Sequence, residues 1–278
     1  MQARKPPFLR RQQGASNLLR SRVTFFYDRM IKYLDTIDST STELRRRMSV
    51  EELFHGYCIS ADFQTAGHGQ ATNRWESEEG KNLLFSLLLR PTIIPAAEQF
   101  IITELVTLAI INVLQDYVRQ QITIKWPNDI YVGDKKLCGI LIENALCGPT
   151  IDTCIVGIGI NINQELFKSD APNPVSLKQL NGRDNDRREI LEEIHHNILN
   201  YYDYLADNWY NDSIKQSLHY EYMNNLYRRT GYHNYSTPEG EHFSAEIEEI
   251  GLQGHLTLRL QSGERRTYAF KEVIFELK

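Results

Sequence analysis

The lysines at 125 and 136 stand in unusual company for their positions. The first opens Lys125-Trp126-Pro127-Asn128-Asp129, and the second lies in Lys135-Lys136-Leu137-Cys138-Gly139-Ile140-Leu141, which runs into an apolar strand. Two ammonium groups close to a glycine-bearing strand suit an anionic ligand, because glycine lets backbone come near it. A lysine pair in a turn can equally be solvated. Three further segments are too polar for their surroundings. Asp38-Ser39-Thr40 precedes a helix, where free N–H groups and hydroxyls hold a polar or anionic ligand, or simply cap the helix. Gln64 to Trp75 is a strand-exit loop with Gly67, Gly69 and a tryptophan able to stack on a base. Gly157-Ile158-Gly159-Ile160-Asn161-Ile162-Asn163 puts asparagines inside a buried apolar strand, where they need either a hydrogen-bond network or a ligand.

Other chemistries lack their residues. The phosphate loop G-x-x-x-x-G-K-[ST] is missing, and Gly67-x-Gly69 and Gly157-x-Gly159 each lack the third glycine of a dinucleotide fingerprint. There is no H-E-x-x-H zinc helix, no G-x-S-x-G elbow and no cysteine pair spaced for zinc. The eight histidines are scattered, and adjacent His195 and His196 point to different helix faces and read as surface residues. With no nucleophile-and-base pair in view, the chemistry must rest on positioning and electrostatics.

The elements that position these residues alternate along the chain. Strands are expected at 31–34, 56–63, 83–89, 122–126, 137–143 and 151–162. Thr40 with Glu43 fits a capping box and starts a helix near residue 40. Apolar residues from Ile101 to Val118, recurring at spacings of three and four, predict a helix over 96–119. Pro127-Asn128-Asp129 and Gly133-Asp134 read as turns, 171–186 as loop, and 187–209 with part of 213–228 as helices. The last 45 or so residues change character, with short strands at 242–250, 255–260 and 265–275 punctuated by glycine. An α/β (α+β) unit followed by a small β-barrel or sandwich is the fold class this order predicts.

Composition sets the outer limits. At 278 residues, 41% hydrophobic and 24% charged, the chain can bury a substantial core. No apolar run reaches the roughly 18–20 residues of a membrane-spanning helix. Residues 1–22 carry six basic residues and no acid, so with a net charge of −5 overall the rest carries −11. That start reads as a basic, disordered extension over 1–30, as an over-long start with Met30 the true initiator, or as a targeting peptide. It offers no DNA-reading helix, and the acidic remainder argues against general nucleic-acid binding. Four cysteines without C-x-x-C spacing read as reduced thiols in a cytoplasmic compartment.

Taken together and in this order, Asp38-Ser39-Thr40, Gln64-Thr65-Ala66-Gly67, Lys125 to Asp129, Lys136 to Leu141 and Gly157 to Asn161 resemble the biotin protein ligase family, over about residues 31–278. The resemblance is to the type lacking an N-terminal DNA-binding domain. It implies a mixed sheet with helices, like class II aminoacyl-tRNA synthetases, over 31–229, and a small SH3-like barrel over 230–278. It implies that biotin is activated by ATP and Mg²⁺ to biotinyl-5′-AMP and passed to a lysine of a biotin carboxyl carrier domain, in a biotin-dependent carboxylase or decarboxylase. Under it Ser39, Thr40, Ser41, Gln64, Gly67, His68, Gly69, Gln70, Lys136 and Gly139 would bind biotin. Trp75, Lys125, Asn128 and Asn161 would bind the nucleotide, with Lys136 and Lys125 catalytic and no resident metal. No DNA or membrane partner is implied, and a homodimer is allowed. The family's arginine-rich G-R-G-R-R-G run is replaced here by Gly67-His68-Gly69-Gln70-Ala71-Thr72, which removes the charges that order the loop over the adenylate. Lipoate or octanoate transfer and a non-catalytic biotin-binding protein are the alternatives.

Overall fold

The computed structural model describes residues 30–67, 69, 75–168 and 173–276. The basic segment at 1–22 and most of the loop at 68–74 lie outside them. The first unit is built on seven strands: β1 (Ile31–Ile37), β2 (Cys58–Gln64), β3 (Leu83–Leu89), β4 (Ile122–Lys125), β5 (Asp129–Val132), β6 (Lys135–Cys147) and β7 (Thr150–Ile160). Their order is β1-β2-β3-β7-β6-β5-β4. The β1–β2 pair is parallel and the remaining pairs are antiparallel, so the sheet is mixed as expected. β5 escaped the sequence reading. It is a four-residue strand between two turn signals, too short for its alternation to register beside them.

The helices are α1 (Thr40–Met48), α2 (Phe100–Leu114), α3 (Leu177–Asn181), α4 (Arg187–Asp207) and α5 (Asp212–Asn224). The short α3, with a Ser176–Gln179 capping box, falls inside the segment expected to be loop. α1 starts where Thr40 and Glu43 suggested, but Ser39 is the cap, its side chain accepting from the Thr42 amide. α2 buries every residue except Asn112. Its one-sided apolar spacing understates this, because α2 packs against the sheet strands β4 and β5 and against α4 and α5.

Strand periodicity divides the two faces of the sheet. Phe85, Leu87 and Leu89 on β3, Val156, Ile158 and Ile160 on β7, and Cys138 and Ile140 on β6 join the large core with α2 and α4. The alternate residues point the other way. There Leu88 and Ile155 pack with Leu44 of α1 in a small cluster, and the next positions along are Ser86, Gly157, Gly159 and Gly139. One face holds the protein together; the other is left small and polar.

A second, antiparallel sheet follows in the order β11-β10-β9-β8-β12. Its strands are β8 (His233–Ser236), β9 (His242–Ile250), β10 (Leu256–Leu260), β11 (Arg265–Tyr268) and β12 (Ile274–Phe275). β8 was not anticipated, since its His-Asn-Tyr-Ser sequence carries little strand preference. Trp126 ties the two sheets, its Nε1 donating to Gly254 O at 2.9 Å.

His195 corrects the surface reading. It is fully buried on α4, with Nε2 2.7 Å from Gly56 O, so the neutral ring donates there. Burial pushes its pKa down to about 4. The folded state therefore binds fewer protons than the unfolded chain, and stability is full above about pH 6.5 and falls as pH drops through 4. A loss of up to about 3 kcal/mol between pH 7 and pH 4 is expected from this group. Urea midpoints over that range should fall steeply for the wild type and less for His195→Gln. Parallel curves would assign the acid sensitivity elsewhere.

Candidate functional site

The polar face of the sheet opens into a cleft of about 470 Å³. That size suits a small-molecule ligand. Its floor is made by glycine. Gly139 on β6 pairs with Gly159 on β7, and the indole of Trp75 lies on both. A β-carbon at Gly139 would meet Trp75 Cζ3 at 2.6 Å, and one at Gly159 would meet Cε2 at 2.5 Å. No side chain can share this floor with the ring. The Trp75 Nε1 is buried with no hydrogen-bond partner among the described residues. An orphaned donor beside a cleft costs about 1–3 kcal/mol unless a ligand accepts from it.

One end of the cleft is a hydroxyl cluster. The Thr40 amide donates to Gln64 Oε1 at 2.7 Å, and Thr40 Oγ1 reaches the same oxygen at 3.1 Å. Thr40 Oγ1 and Ser41 Oγ lie 2.8 and 2.9 Å from Ser86 Oγ. These groups come from the start of α1, the end of β2 and the middle of β3, which the β1–α1–β2 crossover brings together. Ser86 is fully buried and was invisible in Leu-Leu-Phe-Ser-Leu-Leu-Leu, where a lone serine reads as part of a core strand. A β-carbon on Gly157 would sit 2.9 Å from Ser41 Oγ, so that glycine leaves room for the hydroxyl.

The other end is cationic. Lys136 Nζ pairs with Asp129 Oδ2 at 2.7 Å and stands 5.8 Å from the centre of the Trp75 ring. Lys125 Nζ lies over the rings of Tyr131 and Phe275 and donates to Tyr131 OH at 3.3 Å. Burial pushes the Lys125 pKa down, Asp129 opposes this, and Lys136 and Arg228 add to it. A bound anion would oppose it further. The lysines sit on a rigid frame. Tyr222 on α5 donates to Pro127 O at 2.7 Å, and β4 is tied by Ile124 N to Asn225 O and by Tyr227 N to Ile124 O. Lys136 is held by its own backbone, its N donating to Asn173 O at 2.8 Å and its carbonyl accepting from Val175 N at 2.9 Å.

Ser39, Thr40, Ser41, Gln64, Gly69, Trp75, Lys125, Asn128, Lys136 and Gly139 all line the cleft. Gly67 does not line it, and a β-carbon there would meet the Gln64 side chain at 2.9 Å. Asn161 does not line it either. Its Nδ2 donates to Val175 O at 3.2 Å and Lys136 O at 3.4 Å, so this buried asparagine belongs to a network that secures Lys136. His68 and Gln70, with Ala71 and Thr72, lie outside the described residues. Sequence reasoning missed the contribution of the second sheet, whose Phe270, Lys271, Val273, Ile274 and Phe275 also line the cleft. No motif marked them.

The buried thiols take no part. Burial raises the pKa of Cys58, Cys138 and Cys154 far above neutrality, which leaves them protonated and unreactive.

Residues 33–161 match the model of the biotin/lipoate A/B protein ligase family. The bifunctional ligase/repressor BirA of Bacillus spizizenii is 35% identical over 167 residues, covering 58% of this chain and 50% of that protein. The biotin–[acetyl-CoA-carboxylase] ligase of Paracoccus denitrificans is 30% identical over 140 residues, covering 48% of this chain and 58% of that protein. The chain thus spans about half the length of the curated relatives it matches. In three dimensions it is similar to the biotin protein ligase of Aquifex aeolicus solved with biotin and ATP, at a TM-score of 0.71 and 22% identity, over 89% of this chain and 99% of that one. The mixed sheet with its helices is thus the expected class II synthetase-like fold. The motifs, the cleft they line and the family match all fall on one sheet, and over residues 33–161 the chain is similar to the biotin/lipoate A/B protein ligase family.

Proposed function

We propose that the chain is a biotin protein ligase, which joins biotin to ATP as biotinyl-5′-AMP and then transfers biotin to a lysine of a biotin carboxyl carrier domain. The observation that carries this reading is a single cleft with a hydroxyl cluster at one end and two lysines at the other. The ureido ring of biotin presents two N–H donors and a carbonyl acceptor, which need polar partners once buried. Ser39, Thr40, Ser41 and Gln64, braced by Ser86, supply them. A lipoyl dithiolane ring could satisfy none of those hydroxyls, so the same cluster argues against lipoate or octanoate transfer.

In the first step a biotin carboxylate oxygen attacks the α-phosphorus of ATP, and the bond to pyrophosphate breaks. Lys136 and Lys125 neutralise charge at the phosphorus, Trp75 stacks on the adenine and Asn128 stands beside the phosphates. In the second step the neutral amine of the acceptor lysine attacks the acyl carbon, AMP leaves, and the amine's proton passes to solvent. Neither step needs a protein nucleophile. A magnesium ion bound with the triphosphate would be held by phosphate oxygens and one carboxylate; Asp129 is the carboxylate among the described lining residues that would hold it. The ion's chemistry there is charge neutralisation.

The catalytic unit in this reading covers about 31–229 and the SH3-like unit 230–278, and both steps take place in a cytoplasmic compartment. No described helix is long and apolar enough to cross a membrane. The test is to incubate the chain with biotin, Mg·ATP and a biotin carboxyl carrier domain and to weigh the acceptor. A mass gain that depends on both biotin and ATP is expected. If lipoate is added in place of biotin, or if the chain binds biotin without pyrophosphate exchange, the ligase reading falls.

A further inference from the structure

The cleft contains a third cation, delivered by the second sheet. Between β11 and β12 the chain turns at Ala269–Glu272, where Glu272 N donates to Ala269 O at 3.1 Å. Glu272 Oε2 braces the turn by accepting from Ala269 N at 2.7 Å. Lys271 is the third residue of this turn and has φ of 75°. That is the left-handed region in which glycine is the usual choice and a β-carbon brings strain. The turn leans on the Lys125–Asp129 segment, the Phe270 ring meeting Trp126 edge-on at 5.9 Å.

Lys271 is not needed to make the turn, since glycine would adopt the same backbone with less strain. It has no ion-pair partner among the described residues, whereas Lys136 in the same cleft is engaged by Asp129. Its Nζ lies 5.9 Å from the Phe270 ring, and the residue is exposed while Lys125 and Lys136 are partly covered. A strained backbone position that places a charge at a binding cleft is the kind of strain that function maintains.

We propose that Lys271 binds the β- and γ-phosphates of ATP, so that the second sheet completes the nucleotide site. This rests on the ATP-dependent reading above. The two deeper lysines lie near Trp75 and Asn128, where the adenylate portion would lie. One of them is already shared with a carboxylate, so the outer phosphates have no protein cation beside the magnesium that accompanies them. An exposed, rotatable ammonium at the rim meets that need and lets go when pyrophosphate leaves.

The test uses the full chain and direct binding by calorimetry, with ATP, AMP and biotinyl-5′-AMP as probes. Lys271→Gly and Lys271→Met should weaken ATP binding about five- to tenfold, the scale of one exposed charge contact. AMP and biotinyl-5′-AMP should bind as they do to wild type, and Lys271→Arg should keep most of the ATP affinity. Lys271→Gly should melt within about 2 °C of wild type, because relief of the turn offsets the added freedom of the unfolded chain. Unchanged ATP affinity in both variants overturns the proposal, as does an equal loss for AMP, which would put the lysine at the α-phosphate or in a structural role. A wild type that binds ATP but shows no biotin-dependent exchange would sink the ligase reading, while the comparison of ATP with AMP would still decide the role of Lys271.

Discussion

Lys136→Ala is expected to lower biotin-dependent pyrophosphate exchange by about 10²–10³, the cost of removing one positioned charge from a developing negative centre. The geometry makes this lysine hard to replace. Its backbone is pinned on both sides, by Asn173 and Val175, and its carbonyl also accepts from Asn161. Its ammonium therefore emerges from β6 at a fixed place, between Asp129 and the Trp75 ring. Pre-organisation of this kind is what makes a charge effective at the moment of reaction. The fold should hardly notice the change. The Lys136 and Asp129 side chains are about a quarter to a third exposed, so water can take over solvation of the aspartate, and a pair of this kind contributes at most about 1 kcal/mol. A melting temperature within a few degrees of wild type, with exchange all but lost, is the expected combination. Exchange at the wild-type rate would remove Lys136 from the chemistry.

Much of this site was legible because its residues break the rules of their own strands. Gly139, Gly157 and Gly159 interrupt apolar runs, and Lys125 and Lys136 flank turns, so each stood out as an exception to a period-two or buried pattern. Period two also explains why all three glycines reach one face, which local reading did not use. What could not be read depended on contacts between distant segments. Asn161 called for either a network or a ligand, and its Nδ2 donates to the carbonyls of Lys136 and Val175 across the end of the sheet, partners that no local pattern names. His195 sits beside a second histidine on a polar-looking helix, and its burial, with Gly56 on another segment accepting its hydrogen bond, leaves no local signal. Ser86 is a small residue in a core strand, and its meaning comes from Thr40 and Ser41 arriving over it. The turn at Lys271 enters the cleft through packing between two sheets, for which a single sequence has no periodic signal.

The floor beneath Trp75 leads to a second large effect. Gly159→Ala places a methyl group 2.5 Å from Cε2, 2.8 Å from Nε1 and 2.9 Å from Cδ2 of the indole. These are atoms of a rigid bicycle, so none of them can yield alone as the end of a flexible side chain could. The ring must lift or slide by on the order of 1 Å, and a displacement of that size at a positioning group can cost about 10²-fold in rate. Gly139→Ala should act in the same way, with Cζ3 at 2.6 Å. Gly251→Ala is the control, since its β-carbon would have only an ordinary contact at 3.9 Å. Stability separates this explanation from simple misfolding. Both site glycines face the open cleft and not the helix-packed core, so Trp75 can escape upward at little more than the cost of modest overpacking, about 1–3 kcal/mol. The displaced ring should then become accessible to a fluorescence quencher. Trp126 and Trp209 are both buried, so increased acrylamide quenching in Gly159→Ala reports on Trp75. The expected result is a large fall in exchange activity together with increased quenching, in Gly159→Ala and Gly139→Ala but not in Gly251→Ala. Full activity with unchanged quenching in the two site variants would mean that the indole does not rest on these glycines, and that the floor of the cleft is shaped by something else.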